Sequence, residues 1–401
     1  MRRERKALPA ITRGSSILKG IIPSEGYQVC MQAQPSQLRI AYGADPCTQM
    51  RLTWQVAMPT ESPQVEYGTT PQLGMQALAQ RRTYSHETGA IYSALLTNLQ
   101  PNTRYYYRVG SPQGGFSRAY TFHTPRRGPH NFIFTAFADH GTTPLSVRNT
   151  RNVLAHNPTF HFIVGDLSYA NGRQPVWDVY ERQLEVLSAR VPTMVCLGNH
   201  ENERIGYRAA LARFPMPDPD HYFYQFSLGN ALFVAFNSNE PDDTEQLRWL
   251  ERTLQDAQRN RSYRWRIAFM HHPPYSSTAR RGNNARIIQT FVPLLERYRV
   301  DLVIMGHNHN YERFYPMRGG QAVVRSGTRY PQGKGVVYVI CGGGGVSLYD
   351  LMPEPTPTTA KRERTYCYLK VRVPASGALQ VEAYRIDNSL IERFEIVQLP
   401  P

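Results

Sequence analysis

Five short segments hold most of the side chains able to do chemistry: Asp139-His140-Gly141, Gly165-Asp166-Leu167-Ser168-Tyr169, Gly198-Asn199-His200-Glu201, Met270-His271-His272-Pro273-Pro274 and Gly306-His307-Asn308-His309. Carboxylate, imidazole, amide oxygen and phenolate are oxygen and nitrogen donors, suited to iron, zinc, manganese or magnesium and not to copper(I). One carboxylate can bridge two cations, and two cations roughly 3.5–4 Å apart clamp both ends of an in-line displacement at phosphorus. A single Gly-Asp or Gly-Asn-His also reads as a turn or helix cap. Turns and caps explain isolated Asp and Asn residues, not four His, a Tyr and an Asn delivered in order.

The delivery requires strands. Apolar runs over Phe132–Ala138, Phe160–Gly165, Thr193–Leu197, Ile267–Met270 and Leu302–Met305 each end where one of the five segments begins, and Val336–Cys341 is a further strand. Helical periodicity near 174–188, 243–258 and 285–298 alternates with them, which predicts an α/β unit with its ligands at the C-terminal strand ends. Gly229-Asn230 joins Tyr222–Leu228 to Ala231–Phe236 as a hairpin. Cys367–Val373, Leu379–Arg385 and Ile391–Val397 close this second domain, taken as 131–401.

Upstream, residues 34–125 read as all-β. Leu38-Arg39-Ile40-Ala41-Tyr42, Met50-Arg51-Leu52-Thr53-Trp54 and Arg104-Tyr105-Tyr106-Tyr107-Arg108-Val109 alternate apolar and polar positions, as half-buried strands do. Turn signals between them point to a β-sandwich, with Trp54, Tyr105 and Tyr107 in its core. Residues 1–33 form a charged, Gly- and Pro-punctuated arm, and His123–Pro129 has the breakers of a linker.

Composition bounds the rest. A chain of 401 residues suits two or three domains. Hydrophobic residues at 41% against charged residues at 19% exclude a disordered or fibrous chain. No stretch approaches the ~20 apolar residues of a membrane span. Lys+Arg 46 against Asp+Glu 31 gives +15, with only five lysines among those cations. Such a field favours anionic partners, and guanidinium suits phosphate oxygens. The cations are spread along the chain, whereas a nucleic-acid footprint clusters. The five Cys show no CxxC spacing; Cys30 with Cys47, and Cys341 with Cys367, are disulfide candidates in an oxidising compartment or else buried thiols, and Cys196 reads as core. The basic start carries Arg2-Arg3 without an apolar signal core, so a secreted or periplasmic location would require a signal already removed.

The set Asp139, "GDLSY", "GNHE", "FMHHPP" and "GHNHNYER" resembles the calcineurin-like metallophosphoesterases. Tyr169, three residues after Asp166, behind a module that is similar to fibronectin type III ("TW…VEYGT…LTNLQPNTRYYYRVG"), resembles the purple acid phosphatases within them. The resemblance covers about residues 34 to 398. It implies an α+β or α/β chain, a β-sandwich followed by a four-layer αββα domain. Carried over, Fe(III) would take Asp139, Asp166, Tyr169 and His309, and a second ion, Zn(II), Mn(II) or Fe(II), would take Asp166, Asn199, His271 and His307, with Asp166 bridging. The implied activity is acid phosphatase hydrolysis of phosphomonoesters by a metal-bound hydroxide, with Asp166 and His200 catalytic. Small phosphorylated substrates are the implied partners, a homodimer is allowed, and no specific nucleic acid is expected. The alternatives are a phosphodiesterase or nucleotide pyrophosphatase using the same site, or a vestigial phosphatase acting as a binding protein.

The sequence departs from that pattern in places. The first motif is Ala138-Asp139-His140-Gly141 where Gly-Asp-x-Gly is usual, which leaves His140 to back a ligand, to face substrate or to sit in solvent. After "HHPPY" no further His follows in Ser276–Arg286, leaving Arg280 and Arg281 as candidate phosphate clamps. His271 and His272 are expected to point apart, as neighbours on a strand do, and Glu201 and Glu312 to orient ligand imidazoles.

Overall fold

The computed structural model describes residues 34–217 and 221–398; the arm expected over residues 1–33, and Cys30 of the Cys30–Cys47 pair, lie outside them. The first unit is two antiparallel sheets. One orders Ser36–Tyr42, Met50–Val56, Ala90–Leu96 and Gln80–Arg82; the other centres on Arg104–Ser111, flanked by Gln64–Gly68, Gly115–Phe116 and Tyr120–His123, with Met75–Leu78 at its edge. Alternation buries Tyr105, Tyr107 and Val109 on one side of Arg104–Ser111. Tyr105 stacks on Phe122 and Tyr107 on Tyr120 in a core shared with Trp54.

The second unit has two seven-stranded sheets face to face. In the first, Thr193–Cys196, Phe160–Val164 and Phe132–Phe137 run parallel, followed by the antiparallel Cys367–Val373, Leu379–Arg385 and Leu390–Val397, with Arg329–Pro331 at the edge. The second orders Tyr224–Leu228, Ala231–Ala235, Trp265–Phe269, Leu302–Met305, Val337–Cys341, Tyr311–Phe314 and Thr359–Glu363. Phenylalanines fill the gap: Phe162 stacks on Phe269 at 3.7 Å, and Phe134 meets Phe233 edge-on at 5.5 Å. Because strands buried on both faces need cover, Pro144–Ala155 and Gln174–Ser188 lie outside the first sheet. Thr244–Arg259 and Ala285–Arg297 cover the second through Leu250, Leu254, Phe291 and Leu295. Asp243 and Asn284 start those two helices, each side chain accepting from two first-turn amides.

The five strands that carry the candidate donors belong to the two sheets of the expected αββα arrangement, three in the first and two in the second. Their C-terminal ends meet along the shared edge, so the site sits between sheets. Helix Pro144–Ala155 was not expected, because its buried face is polar: Ser146, Asn149 and Thr150, with Val153 the one apolar member. The buried Cys341 and Cys367 lie on facing sheets as thiols, sulfurs 3.5 Å apart. Cys196 is in the core as expected. None of the described helices is long and apolar enough to cross a membrane.

Candidate metal centre

The parallel pairing of Phe132–Phe137 with Phe160–Val164 continues past the strand ends. The amides of Asp139, His140 and Gly141 donate to the carbonyls of Gly165, Asp166 and Leu167, and this register places the Asp139 and Asp166 carboxylates side by side. Both residues, with Tyr169 and His307, hold positive φ (58°, 51°, 56° and 68°). Such backbone costs on the order of 1 kcal/mol or more per non-glycine residue and gathers at functional sites. Close approach explains the glycines before the ligands. A Cβ at Gly198 would lie 2.2 Å from Asp166 Oδ1, and one at Gly306 would lie 2.7 Å from Asp139 Oδ2.

Two groups of donor atoms share one carboxylate. Tyr169 Oη lies 3.1 Å from Asp139 Oδ1, 3.1 Å from His309 Nε2 and 3.4 Å from Asp166 Oδ2. On the other side His271 Nε2 lies 3.2 Å from the same Asp166 Oδ2 and 3.3 Å from His307 Nδ1. Asn199 Oδ1 is buried with no hydrogen-bond partner. A buried amide oxygen without a donor is costly unless something else satisfies it, and a cation does.

The electrostatics ask for the same positive charge. Burial, then Asp139 and Asp166, hold the Tyr169 hydroxyl well above its usual range, so a phenolate forms there only against a strong cation. Burial alone would lower His271; Asp166 and then Asp139 outweigh it and push the imidazole up to about 9. The pair of carboxylates thus draws a proton to the place where a metal would release one. The residues present fit a metal centre.

Backbone carbonyls, not carboxylates, orient the imidazoles. His271 Nδ1 meets Val164 O at 2.9 Å and His309 Nδ1 meets Ser347 O at 2.6 Å. The roles expected of the two glutamates are corrected accordingly. Glu201 accepts from the amides of Asp166, Leu167 and Gly198, each at 2.8 Å, pinning two ligand loops together. Glu312 holds Ser277 and Thr359.

His140 does not face substrate. Its ring is 1% exposed, stacks on Phe137 at 4.4 Å and bonds Ser146 O and Thr150 Oγ1 of helix Pro144–Ala155. His200 does line the cleft: its Nδ1 is 2.5 Å from Asn171 Oδ1 and its ring lies on Tyr169 at 4.3 Å. Arg281 contacts His307 Nε2, and the Arg280 guanidinium lies over the Tyr349 ring at 4.8 Å. His272 does not point away from His271 as expected. The strand ends at Phe269, so alternation no longer applies, and the His272 ring sits 4.2 Å from that of His307. Tyr349, stacked on His309 at 4.0 Å, and Asn171 lie at the site without any signal in the sequence.

Two sheets closing on a carboxylate–imidazole cluster define a calcineurin-like metallophosphoesterase. Residues 134–311 match the calcineurin-like phosphoesterase family, and residues 35–124 match the N-terminal domain of purple acid phosphatases. Acid phosphatase type 7 of Homo sapiens is 31% identical over 85% of this chain and 85% of its own. Purple acid phosphatase 21 of Arabidopsis thaliana is 30% identical over 84% and 78%. A purple acid phosphatase from yellow lupin (Lupinus luteus) seeds shares the fold, with a TM-score of 0.85 at 22% identity over 91% of this chain and 75% of that one. The chain belongs to the purple acid phosphatase family and is a metal-dependent acid phosphatase.

Proposed function

We propose that the chain hydrolyses phosphomonoesters at a two-cation centre. Fe(III) would be held by Asp139, Asp166, Tyr169 and His309, and Zn(II), Mn(II) or Fe(II) by Asp166, Asn199, His271 and His307. The observation that carries this reading is Asp166 Oδ2, within 3.4 Å of Tyr169 Oη and 3.2 Å of His271 Nε2, an oxygen common to both donor groups. When bound, the ions supply Lewis acidity at the phosphoryl oxygens and acidify a water, the nucleophile in an in-line displacement.

The chain's own residues bind and orient the ester and move the leaving-group proton. Arg281, half-buried beside His307, and His272 supply positive charge or hydrogen bonds to non-bridging oxygens. Arg280, exposed and packed on Tyr349, reaches the same mouth. His200 Nδ1 faces an amide oxygen at 2.5 Å and so carries a proton. Nε2 can therefore donate to a leaving oxygen only from the imidazolium, which burial disfavours and Asp166 partly restores, so His200 is the general acid for poor leaving groups at acid pH.

Metal analysis with a visible spectrum of the purified protein, beside assays on an aryl phosphate and a bis(aryl) phosphate, tests the proposal. Two metals per chain, a tyrosinate-to-iron absorption band and preference for the monoester are expected. A single ion, no band, or preference for the diester would overturn the dinuclear monoesterase reading.

A further inference from the structure

The opposite ends of the same strands form a second polar site. Arg264 and Arg266 stand at the start of Trp265–Phe269, Asp301 just before Leu302–Met305, and Arg299 two residues earlier. Together with Arg261 and Gln332 they line an open cleft of about 940 Å³, ample for a small ligand. His271 and His307 follow the C-terminal ends of those two strands, so the cleft and the metal centre lie a full strand length apart.

The cleft holds positive charge without matching acids. Among the described residues none of the four arginines is within salt-bridge distance of a carboxylate, and Asp301 is the only acid in the lining. Arg264 Nη1 donates to Ala375 O at 3.1 Å and Arg266 Nη2 to Ala257 O at 3.2 Å, which fixes both stems and leaves other guanidinium donors free. Gln332 Nε2 braces Arg264 O at 2.7 Å. Three buried polar atoms of the lining lack partners: Arg266 Nε, Asn230 Oδ1, and Oδ1 of Asp301, whose residue is 2% exposed while its Oδ2 accepts from Arg266 N at 2.8 Å. The open Arg266 donor suits an anion, whereas the open Asp301 and Asn230 oxygens call for a donor such as water. Four guanidinium groups with one buried acid beneath them suit a ligand of several negative charges.

We propose that this cleft is a second binding site, separate from the metal centre, for a small anion carrying a diphosphate or two phosphate groups. Arg261 and Arg299, exposed at its mouth, capture the outer phosphoryl oxygens; Arg264 and Arg266 bind deeper.

Calorimetric titration of the metal-loaded protein with methylenediphosphonate, whose P–C–P link resists hydrolysis, tests this. Two classes of site are expected. Asp166→Asn should remove the class at the metal centre and keep the other. The double variant R261Q/R299Q should weaken the second class roughly 100-fold, as two charge-assisted contacts are lost, with kcat/KM for an aryl phosphate unchanged. A single class abolished by Asp166→Asn, or a second class indifferent to R261Q/R299Q, would overturn the proposal. A single class that survives Asp166→Asn and is lost in R261Q/R299Q would support it while counting against the metal centre.

Discussion

At the scale of single residues, the site turns on atoms that serve two neighbours. Asp166 Oδ2 touches both donor groups, and Asp166 Oδ1 accepts from the His200 amide at 2.9 Å. Asp166→Asn removes the anionic charge but not the shape, so it should cut metal content and abolish turnover while circular dichroism stays that of the wild type. His307→Ala should do the same. Tyr169→Phe separates colour from catalysis: iron analysis should still find metal, and the visible band should vanish. His200→Ala should slow alkyl phosphates far more than aryl phosphates, by roughly 10²-fold or more for an acid catalyst. With wild-type protein, the alkyl rate should fall as pH rises and the imidazolium is lost; equal loss on both substrate classes would assign His200 another task. The candidate metal donors were legible in the sequence because Asp139, Asp166, Asn199, His271 and His307 each follow an apolar strand, four of them behind Ala or Gly, with Tyr169 and His309 close after. The substrate-facing reading of His140 comes from a motif departure and the reading of His272 from strand alternation, and neither fixes a side chain here. Their side-chain directions are set by what happens just past a strand end, where Asp139 turns through φ 58° and the strand to Phe269 has stopped. Alternation says nothing there.

At the scale of elements, periodicity found the apolar strands that lead to the site and the three helices with apolar faces, but not the strands Ala90–Leu96, Tyr311–Phe314 and Thr359–Glu363. It missed Pro144–Ala155, whose buried face is made of hydrogen bonds: Asn149 Nδ2 donates to Gly344 O and Cys367 O, and Ser146 and Thr150 meet His140. Nor does periodicity say which strands share a sheet, since that is decided by pairing between distant segments. The loop glycines are a testable consequence of the observed pairing. Gly198→Ala places a methyl against Asp166 Oδ1 and its amide, so the carboxylate must move and metal content should drop in a protein that still folds. Asp301 offers a test by pH at the other strand ends. Burial pushes its carboxyl up to about 7, only partly opposed by the Arg266 amide and Gln332, against roughly 4 in an unfolded chain. The folded state then holds a proton that the unfolded state releases between about pH 4 and 7. That contribution is complete below pH 4 and lost as pH rises through 7. Asp301→Asn should flatten the fall of thermal stability across this window; an identical slope in both proteins would place the effect elsewhere.

At the scale of the whole molecule, the β-sandwich is fastened to the metallophosphoesterase domain by buried polar contacts as well as by shared core. Tyr42 Oη donates to Thr159 O at 2.9 Å and Tyr107 Oη to Ala189 O at 2.8 Å. Gln37 and Gln55 both donate to Asp178 of helix Gln174–Ser188. Beside them Arg39 of the sandwich pairs with Glu181 of that helix, and Arg213 Nε lies 3.6 Å from the other carboxylate oxygen; all three side chains are under 5% exposed. Burial pushes Glu181 up and Arg39 down, and each partly opposes that shift in the other. From Arg213 the contacts run through Gln174 to Glu203, next to the segment bearing Asn199 and His200. Arg39→Met keeps the stem and removes the charge, leaving Glu181 buried with Arg213 as its remaining cation. A broken buried pair costs about 3–5 kcal/mol, and because the pair spans the two units, that loss should fall on both. Scanning calorimetry should therefore give one transition for the wild type and one, several degrees lower, for Arg39→Met. Two separate peaks, of which only one moves, would show that the sandwich unfolds independently and that its contacts with the catalytic domain carry little of the stability.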